Sequence, residues 1–366
     1  MRKVSAMLNI DYTKEPFYTS PKPVKRRASK EYGPFRILQN IQSISAFAHN
    51  NAAIDSGGNL WTWGCDEIVR RGEVASYDFP PSVISLPRKR MEKTVAVSVG
   101  ADRVYAITGD GRLWGWGRNR WGELGTGDKE PRTEPVVILD DVKSVSAGEV
   151  TLCIRGDGSL WGWGENEGLF PCEEDQAQRP CRIMDDVVQA SCNTQTAMAI
   201  TSDGTLWGWG AFITDKRIRY PIPLMEDMAW QSVPNADEGY ALAITKGGDL
   251  YSFGISNYGS VTTWQVRVDD SLPIKVLANV EKVWAGHGVS FILMKDNSLL
   301  SSGNNGGGQC GIGRYSAPFH KPAYVMSDAK EAAVGWHHGM VLQGNGDLWI
   351  FGGQYRRKGT GGQGDG

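Results

Sequence analysis

Long apolar runs are missing from this chain. No stretch of 18 apolar residues occurs, which excludes a hydropathy-type transmembrane helix. The opening Met1–Ile10 is basic but meets Asp11 before an adequate apolar segment forms, so no secretory signal is expected. Cysteine is sparse too. The six residues Cys65, Cys153, Cys172, Cys181, Cys192 and Cys310 contain no CxxC pair, and so few in 366 residues make neither a zinc motif nor a disulfide scaffold. They fit a reducing cytoplasm, the expected location; a chain that had lost its leader would instead be secreted.

Catalytic signatures are absent as well. There is no Gly-x-Ser-x-Gly elbow, and the glycine run Gly306–Gly308 lacks the helix and lysine of a phosphate-binding loop. The acidic groups Asp140-Asp141, Asp185-Asp186 and Glu173-Glu174-Asp175 are sequence neighbours, which on a strand face opposite ways and make poor acid/base partners. The sequence therefore predicts no enzyme, no catalytic residue, no cofactor and no metal site. Net charge is only −2, giving no overall attraction to nucleic acid or anionic membrane. The charge is uneven, however: residues 1–33 hold eight basic and three acidic side chains, leaving the remainder near −7.

What is abundant is glycine, with 46 residues, and tryptophan, with 14. Gly costs about 1 kcal/mol against Ala inside a helix, so this mixture favours short strands joined by tight turns. A repeat organises it. Leu60-Trp-Thr-Trp-Gly64 recurs as Leu113–Gly117, Leu160–Gly164 and Leu206–Gly210, with weaker forms at Leu250–Gly254, Leu299–Gly303 and Leu348–Gly352. Seven units of 44 to 53 residues, without helical periodicity, predict the blades of a β-propeller.

Each unit reads as four strands. Asp110-Gly111, Asp157-Gly158, Asp203-Gly204, Gly57-Gly58 and Gly247-Gly248 mark tight hairpins before the Leu-Trp strand. Segments rich in small residues, such as Val95–Gly100, suit the crowded axis. Segments such as Pro135–Leu139 and Pro273–Leu277 suit the outer edge, with proline as the first strand residue. Pro34–Leu38 has the outer-strand pattern with no blade before it, while the seventh unit lacks an outer strand. Pairing the two closes the ring and removes exposed edges. The reading is an all-β, seven-bladed propeller of four-stranded antiparallel blades over residues 34–355. A flexible basic extension (1–33) precedes it and a Gly-rich tail (356–366) follows.

These repeats resemble the regulator of chromosome condensation repeat family. Trp116-Gly-Arg-Asn-Arg-Trp-Gly-Glu-Leu-Gly125 carries its Asn-x-x-Gly-x-Leu-Gly loop, and Gly303–Gly311 is a variant with Cys310 in the leucine position. The histidine common after the family's Ala-Gly pair appears at His338. The resemblance implies a seven-bladed propeller. Its members include a nucleotide exchange factor for a small GTPase, propeller-type β-lactamase inhibitors and scaffolding modules. No extra insertion here matches a nucleotide-displacing wedge.

The tryptophans of Leu-Trp-x-Trp share one strand face and are expected as inter-blade core. Function is expected in loops at one end, where arginine and aromatic side chains make interaction hot spots. Near the axis this set is Asp102, Arg103, Glu149, Asp237, Glu238, His287, Trp336 and His337; further out it is Arg120, Tyr258, Trp264, Arg314 and Tyr315. The expectation is a monomeric, non-enzymatic scaffold or inhibitor with a protein partner and neither nucleic acid nor membrane. The alternative is a lectin-like binder of a glycan or small ligand at repeated sites.

Overall fold

The computed structural model describes residues 34–64, 87–100, 102–148, 150–164, 169–170, 178–193, 195–210, 218–234, 240–254, 273–314 and 316–352. Every helix-or-strand element among them is a strand. They form seven four-stranded antiparallel sheets. Blade 1 comprises β2 (Ile41–Phe47), β3 (Asn50–Asp55), β4 (Leu60–Trp63) and β5 (Arg88–Met91). Blade 2 repeats this with β6 (Thr94–Val99), β7 (Arg103–Thr108), β8 (Leu113–Gly117) and β9 (Arg132–Leu139). The first strands touch in a closed circuit: β2, β6, β10 (Val142–Ala147), β14 (Val187–Cys192), β18 (Met228–Ser232), β22 (Val280–Gly286), β26 (Ala329–Val334) and back to β2. They line the axis, as their small side chains require.

The ring closes as the pattern predicts. Blade 7 consists of β26, β27 (His338–Gln343) and β28 (Leu348–Gly352), completed by β1 (Phe35–Leu38) from the other end of the chain. Phe35 lies opposite Ile350 and Leu38 opposite Leu348. An ion pair, Arg36 to Asp347 at 3.2 Å, adds to this seam.

Outer strands begin earlier than the prolines suggest. Pro135 is internal to β9, and Pro221 and Pro223 lie within β17 (Ile218–Met225). Both are edge strands, where one side needs no ladder donor, so an internal proline is tolerated.

One turn recurs between blades. Asn40, Lys93, Asp141, Asp186, Asp227, Asn279 and Asp328 all have φ between 55° and 64°. Asn and Asp suit this left-handed region; Lys93 is the exception. Their carbonyls accept the N–H groups of Ser56, Gly109, Gly156, Ser202, Lys246, Lys295 and Gly344 in the neighbouring hairpin. A second device joins the inner strands. Ser45 Oγ accepts from Val99 N–H at 3.0 Å, and Ser98 Oγ from Ala147 N–H at 2.9 Å. Ser191 Oγ accepts from Val233 N–H at 2.9 Å, and Ser232 Oγ from Ala285 N–H at 3.1 Å.

The paired tryptophans divide. Trp63, Trp116, Trp163 and Trp209 are fully buried between blades. By area each contributes roughly 4–6 kcal/mol of transfer free energy. Trp61, Trp114, Trp161, Trp207 and Trp349 are only half-buried, which corrects the expectation that both members of each pair are core. The first tryptophan sits nearer the hairpin end, where the shared face runs out to solvent. Its indole N–H is held there, by Asp55 for Trp61 at 2.9 Å, by Thr108 for Trp114 at 3.1 Å and by Thr201 for Trp207 at 3.1 Å.

Candidate functional site

Antiparallel alternation puts two sets of connections at the same end of the ring: the turns leaving the inner strands and the loops following the Leu-Trp strands. Cross-links between them hold this end together. Arg118 N–H donates to Asp102 O at 2.9 Å, and Asn304 N–H to Gly288 O at 2.7 Å.

The outer loops are built on one asparagine each. Asn119 Oδ1 accepts Leu124 N–H at 2.8 Å, while its Nδ2 donates to the carbonyls of Asp128 (2.9 Å) and Glu130 (3.1 Å). Asn305 repeats this, accepting Cys310 N–H at 3.1 Å and donating to Arg314 O at 2.7 Å. Glu123 and Gln309 are equivalent acceptors for Trp121 N–H (2.7 Å) and Gly307 N–H (2.8 Å). The two loops therefore share one hydrogen-bond plan, and Cys310 fills the buried leucine position as the repeat required. Cys153, Cys192 and Cys310 are all buried, and loss of solvation pushes each thiol up to about 12. They are unreactive core groups.

Near the axis, three adjacent blades bring aromatic and imidazole rings together. His287 comes from the blade 6 turn, Trp336 and His337 from blade 7, and His49 from blade 1. The His49 and Trp336 rings meet edge-on with centroids 5.3 Å apart; His287 lies 5.9 Å from Trp336, and His49 6.2 Å from His337. The Trp336 backbone N–H donates to Ala48 O at 3.0 Å, tying this turn to blade 1 across the seam. Its ring packs on the cluster containing Phe47, Ala48 and Val99. Desolvation holds His287 below its ordinary pKa, with His337 adding to the effect, and partial burial lowers His337 likewise. At neutral pH His287 and His337 are thus uncharged, and with Trp336 they present indole and imidazole edges able to stack and to hydrogen bond.

Of the residues expected at this end, the structure gathers His287, Trp336 and His337. His49 completes the group and was missed. Its signal in the sequence is its place directly after Phe47-Ala48, the end of an inner strand. Asp102 pairs with Arg118 at 3.3 Å, and Arg120 lies exposed with its guanidinium 5.1 Å from the Trp121 ring centroid. Arg314 is exposed. Glu149, Asp237, Glu238, Tyr258, Trp264 and Tyr315 lie outside the described residues.

Arg103 is a correction. Expected on the open surface, it is 2% exposed and donates from Nη2 to Gly148 O of the next blade at 2.6 Å, with Glu123 4.0 Å away. It is the first residue of β7 and so turns inward between blades. His338 holds the equivalent place in blade 7, fully buried, with Nε2 2.6 Å from Asn51 Oδ1 in blade 1. Burial drives its pKa down to about 3, and His49 and His337 add to the shift. The imidazole is neutral. A side chain at Gly335 would put its Cβ 2.1 Å from the His338 ring, so this close approach requires glycine.

Deeper along the axis, two blades lack the tying serine, with Trp284 at its position in blade 6 and Ala333 in blade 7. Glu331 links blade 7 to blade 1: its carboxylate accepts Ile44 N–H at 3.3 Å and the Ser43 hydroxyl at 3.4 Å, as Gln189 Oε1 accepts Gln231 N–H at 3.0 Å between blades 4 and 5. Desolvation raises the Glu331 carboxyl to about 7, opposed by the Ile44 N–H, Lys330 and Lys282.

The fold and this end together define a seven-bladed propeller closed by its amino-terminal strand, with an aromatic–imidazole cluster over one axial mouth. The description of the regulator of chromosome condensation (RCC1) repeat matches this chain at residues 110–153 and 95–122. It is 27% identical over 244 residues to human E3 ubiquitin-protein ligase HERC2, covering 59% of this chain but 5% of that protein. It is 26% identical over 344 residues to the Arabidopsis thaliana ultraviolet-B receptor UVR8, covering 88% of this chain and 66% of the receptor. The chain thus spans less than two thirds of either relative. Among solved structures, yeast RCC1 (Prp20) bound to Kap60 superposes with a TM-score of 0.69 at 18% identity, over 85% of this chain and 80% of the other. Human WBSCR16 gives 0.69 at 17% identity, over 91% and 93%. At such identities the likeness is one of fold.

Proposed function

We propose that this chain is a protein-binding propeller, a scaffold or inhibitor that engages its partner through the axial end carrying His49, His287, Trp336 and His337. The observation that supports this reading is the convergence of four ring side chains from three blades on one surface. Half-exposed aromatic groups seated on a rigid scaffold are what interface hot spots consist of. The neutral imidazoles of His287 and His337 add hydrogen-bonding capacity without the desolvation cost of a buried charge. That yeast RCC1 has been crystallised with Kap60 favours a protein as the class of partner.

The experiment is affinity purification from native cells with mass spectrometry, comparing the wild type with Trp336→Ala/His337→Ala. The expected outcome is loss of the specific partner set by a variant that still unfolds in one cooperative transition, with the melting temperature lowered only modestly by the loss of Trp336 packing. Retention of the same set by the double variant would sink the proposal.

A second reading, a lectin-like binder, draws on the half-exposed Trp61, Trp114, Trp161, Trp207 and Trp349, which recur at one position in five blades. Exposed indole faces are natural platforms for sugar rings. This reading expects several equivalent glycan sites of similar affinity, and a blank glycan array rejects it.

A further inference from the structure

Two asparagines of the chain are followed by glycine, in Asn305-Gly306 and Asn345-Gly346. This dipeptide is chemically labile. With no Cβ on the second residue, its backbone nitrogen can come close enough to the asparagine amide carbon to close a five-membered succinimide ring. The structure puts the two pairs in opposite settings.

Asn305 is buried and held. Its Nδ2 donates to Arg314 O at 2.7 Å and to Ser316 Oγ at 3.0 Å, and its Oδ1 accepts Cys310 N–H at 3.1 Å. Asn345 is exposed, in the hairpin turn between β27 and β28. Its Oδ1 accepts Asp347 N–H at 2.9 Å, and its Nδ2 donates to Asp347 Oδ2 at 3.2 Å. The first of these bonds draws electrons from the amide carbon and favours attack on it. The attacking atom, Gly346 N, donates to Gln343 O at 3.0 Å, a single bond in a turn open to water.

Position gives the site its consequence. Asp347 Oδ2 also accepts from Arg36 Nη1 at 3.2 Å, and its Oδ1 from Gln39 Nε2 at 3.3 Å. Gly346 O accepts Ile41 N–H at 3.0 Å. The turn is therefore where the amino-terminal strand is fastened to blade 7. In blades 3 and 4 the place of Asn345 is taken by Asp157 and Asp203, and two residues on stands a hydroxyl that donates to the carboxylate, Ser159 at 2.5 Å and Thr205 at 2.9 Å. Blade 7 has the carboxylate of Asp347 there instead, so an aspartate at 345 faces a like charge.

We propose that Asn345 is a site of spontaneous deamidation that weakens the ring closure as the protein ages. Gly346 N bonds to Asn345 Cγ, the Cγ–Nδ2 bond breaks, and ammonia leaves with the proton lost from Gly346 N. Water then opens the succinimide at either carbonyl, leaving aspartate or isoaspartate at 345.

The test is storage of the full chain at pH 8 and 37 °C with timed peptide mapping by mass spectrometry, which follows the two asparagines separately and scores isoaspartate by its resistance to Asp-specific cleavage. In the folded protein Asn345 is expected to convert at least tenfold faster than Asn305. Its rate rises from pH 7 to pH 9, because the attacking nitrogen must lose its proton. In guanidinium chloride the two rates converge, which shows that the fold and not the dipeptide separates them. Asn345→Asp is expected to lower the melting temperature by about 2 °C. The exchange variant Asn345→Asp/Asp347→Asn restores it, since the turn again holds one amide and one carboxylate. Equal rates at the two sites in the folded protein overturn the proposal, as does an Asn345 that stays intact while the unfolded chain converts. An unaltered melting temperature in Asn345→Asp, or a loss that the exchange variant does not recover, overturns the link to ring closure.

Discussion

His338 Nε2 stands 2.6 Å from Asn51 Oδ1, a buried contact between the last blade and the first. It joins residues 287 positions apart in sequence and lies directly beneath the axial cluster. The neutral ring is what makes it affordable: a buried imidazolium facing His49 and His337 has no compensating charge in that group.

This contact sets an acid limit. The His338 pKa falls from an ordinary 6.5 to about 3 on folding, so the unfolded chain takes up a proton first. The associated stability is present above pH 6.5 and is lost as pH falls toward 3, on the order of 3–5 kcal/mol in full. His338→Gln, which has no titrating group, is expected to be less stable at pH 7 but to lose less on acidification. Urea midpoints for the two proteins from pH 7 to pH 4 measure the difference. Parallel curves would show that His338 does not set the limit.

Glu331 acts with the opposite sign. Its carboxyl rises from 4.5 to about 7 on folding, so the folded chain keeps a proton that the unfolded chain releases. Its contribution is complete below pH 4.5 and disappears as pH climbs through 7. Glu331→Gln keeps an acceptor for Ile44 N–H and removes the titration. The variant is expected to gain about 1–3 kcal/mol over the wild type between pH 4.5 and 8, allowing for partial exposure of the site. A constant difference across that range contradicts the assignment.

The split between the two tryptophans of a blade is open to measurement. Trp209 is fully buried between blades, and Trp207, two residues earlier, is half-buried. Trp209→Ala is expected to cost about 3–5 kcal/mol through cavity formation. Trp207→Ala should cost about 1–2 kcal/mol, from partial burial and the indole hydrogen bond to Thr201. Denaturant midpoints distinguish them, and equal losses refute the division.

Much of the site was legible as position rather than as contact. His287, Trp336 and His337 were identified because they follow inner strands, and inner strands were recognisable by their small residues. His49 has the same placement and is no less legible. Arg103 was misread because a residue's number relative to the turn does not say whether its side chain leaves the strand outward or toward the next blade. That depends on the backbone of Gly148, 45 residues away. Nothing in the local sequence of Glu331 indicates a seam residue. Its role parallels that of Gln189, which accepts Gln231 N–H at 3.0 Å between blades 4 and 5, and only the packing of one inner strand on the next reveals it.

By itself, the sequence determined the number of blades, the strand order within each and the closure by Phe35–Leu38. Period, hairpin glycines and alternation are local properties, repeated often enough that each copy supports the others. Only the tertiary structure decided which tryptophan of each pair meets solvent, which polar side chains cross between blades, and which rings converge over the axis. Those outcomes depend on the curvature that brings one blade against the next, and side chains at equivalent repeat positions acquire different neighbours because the ring is closed by unequal blades.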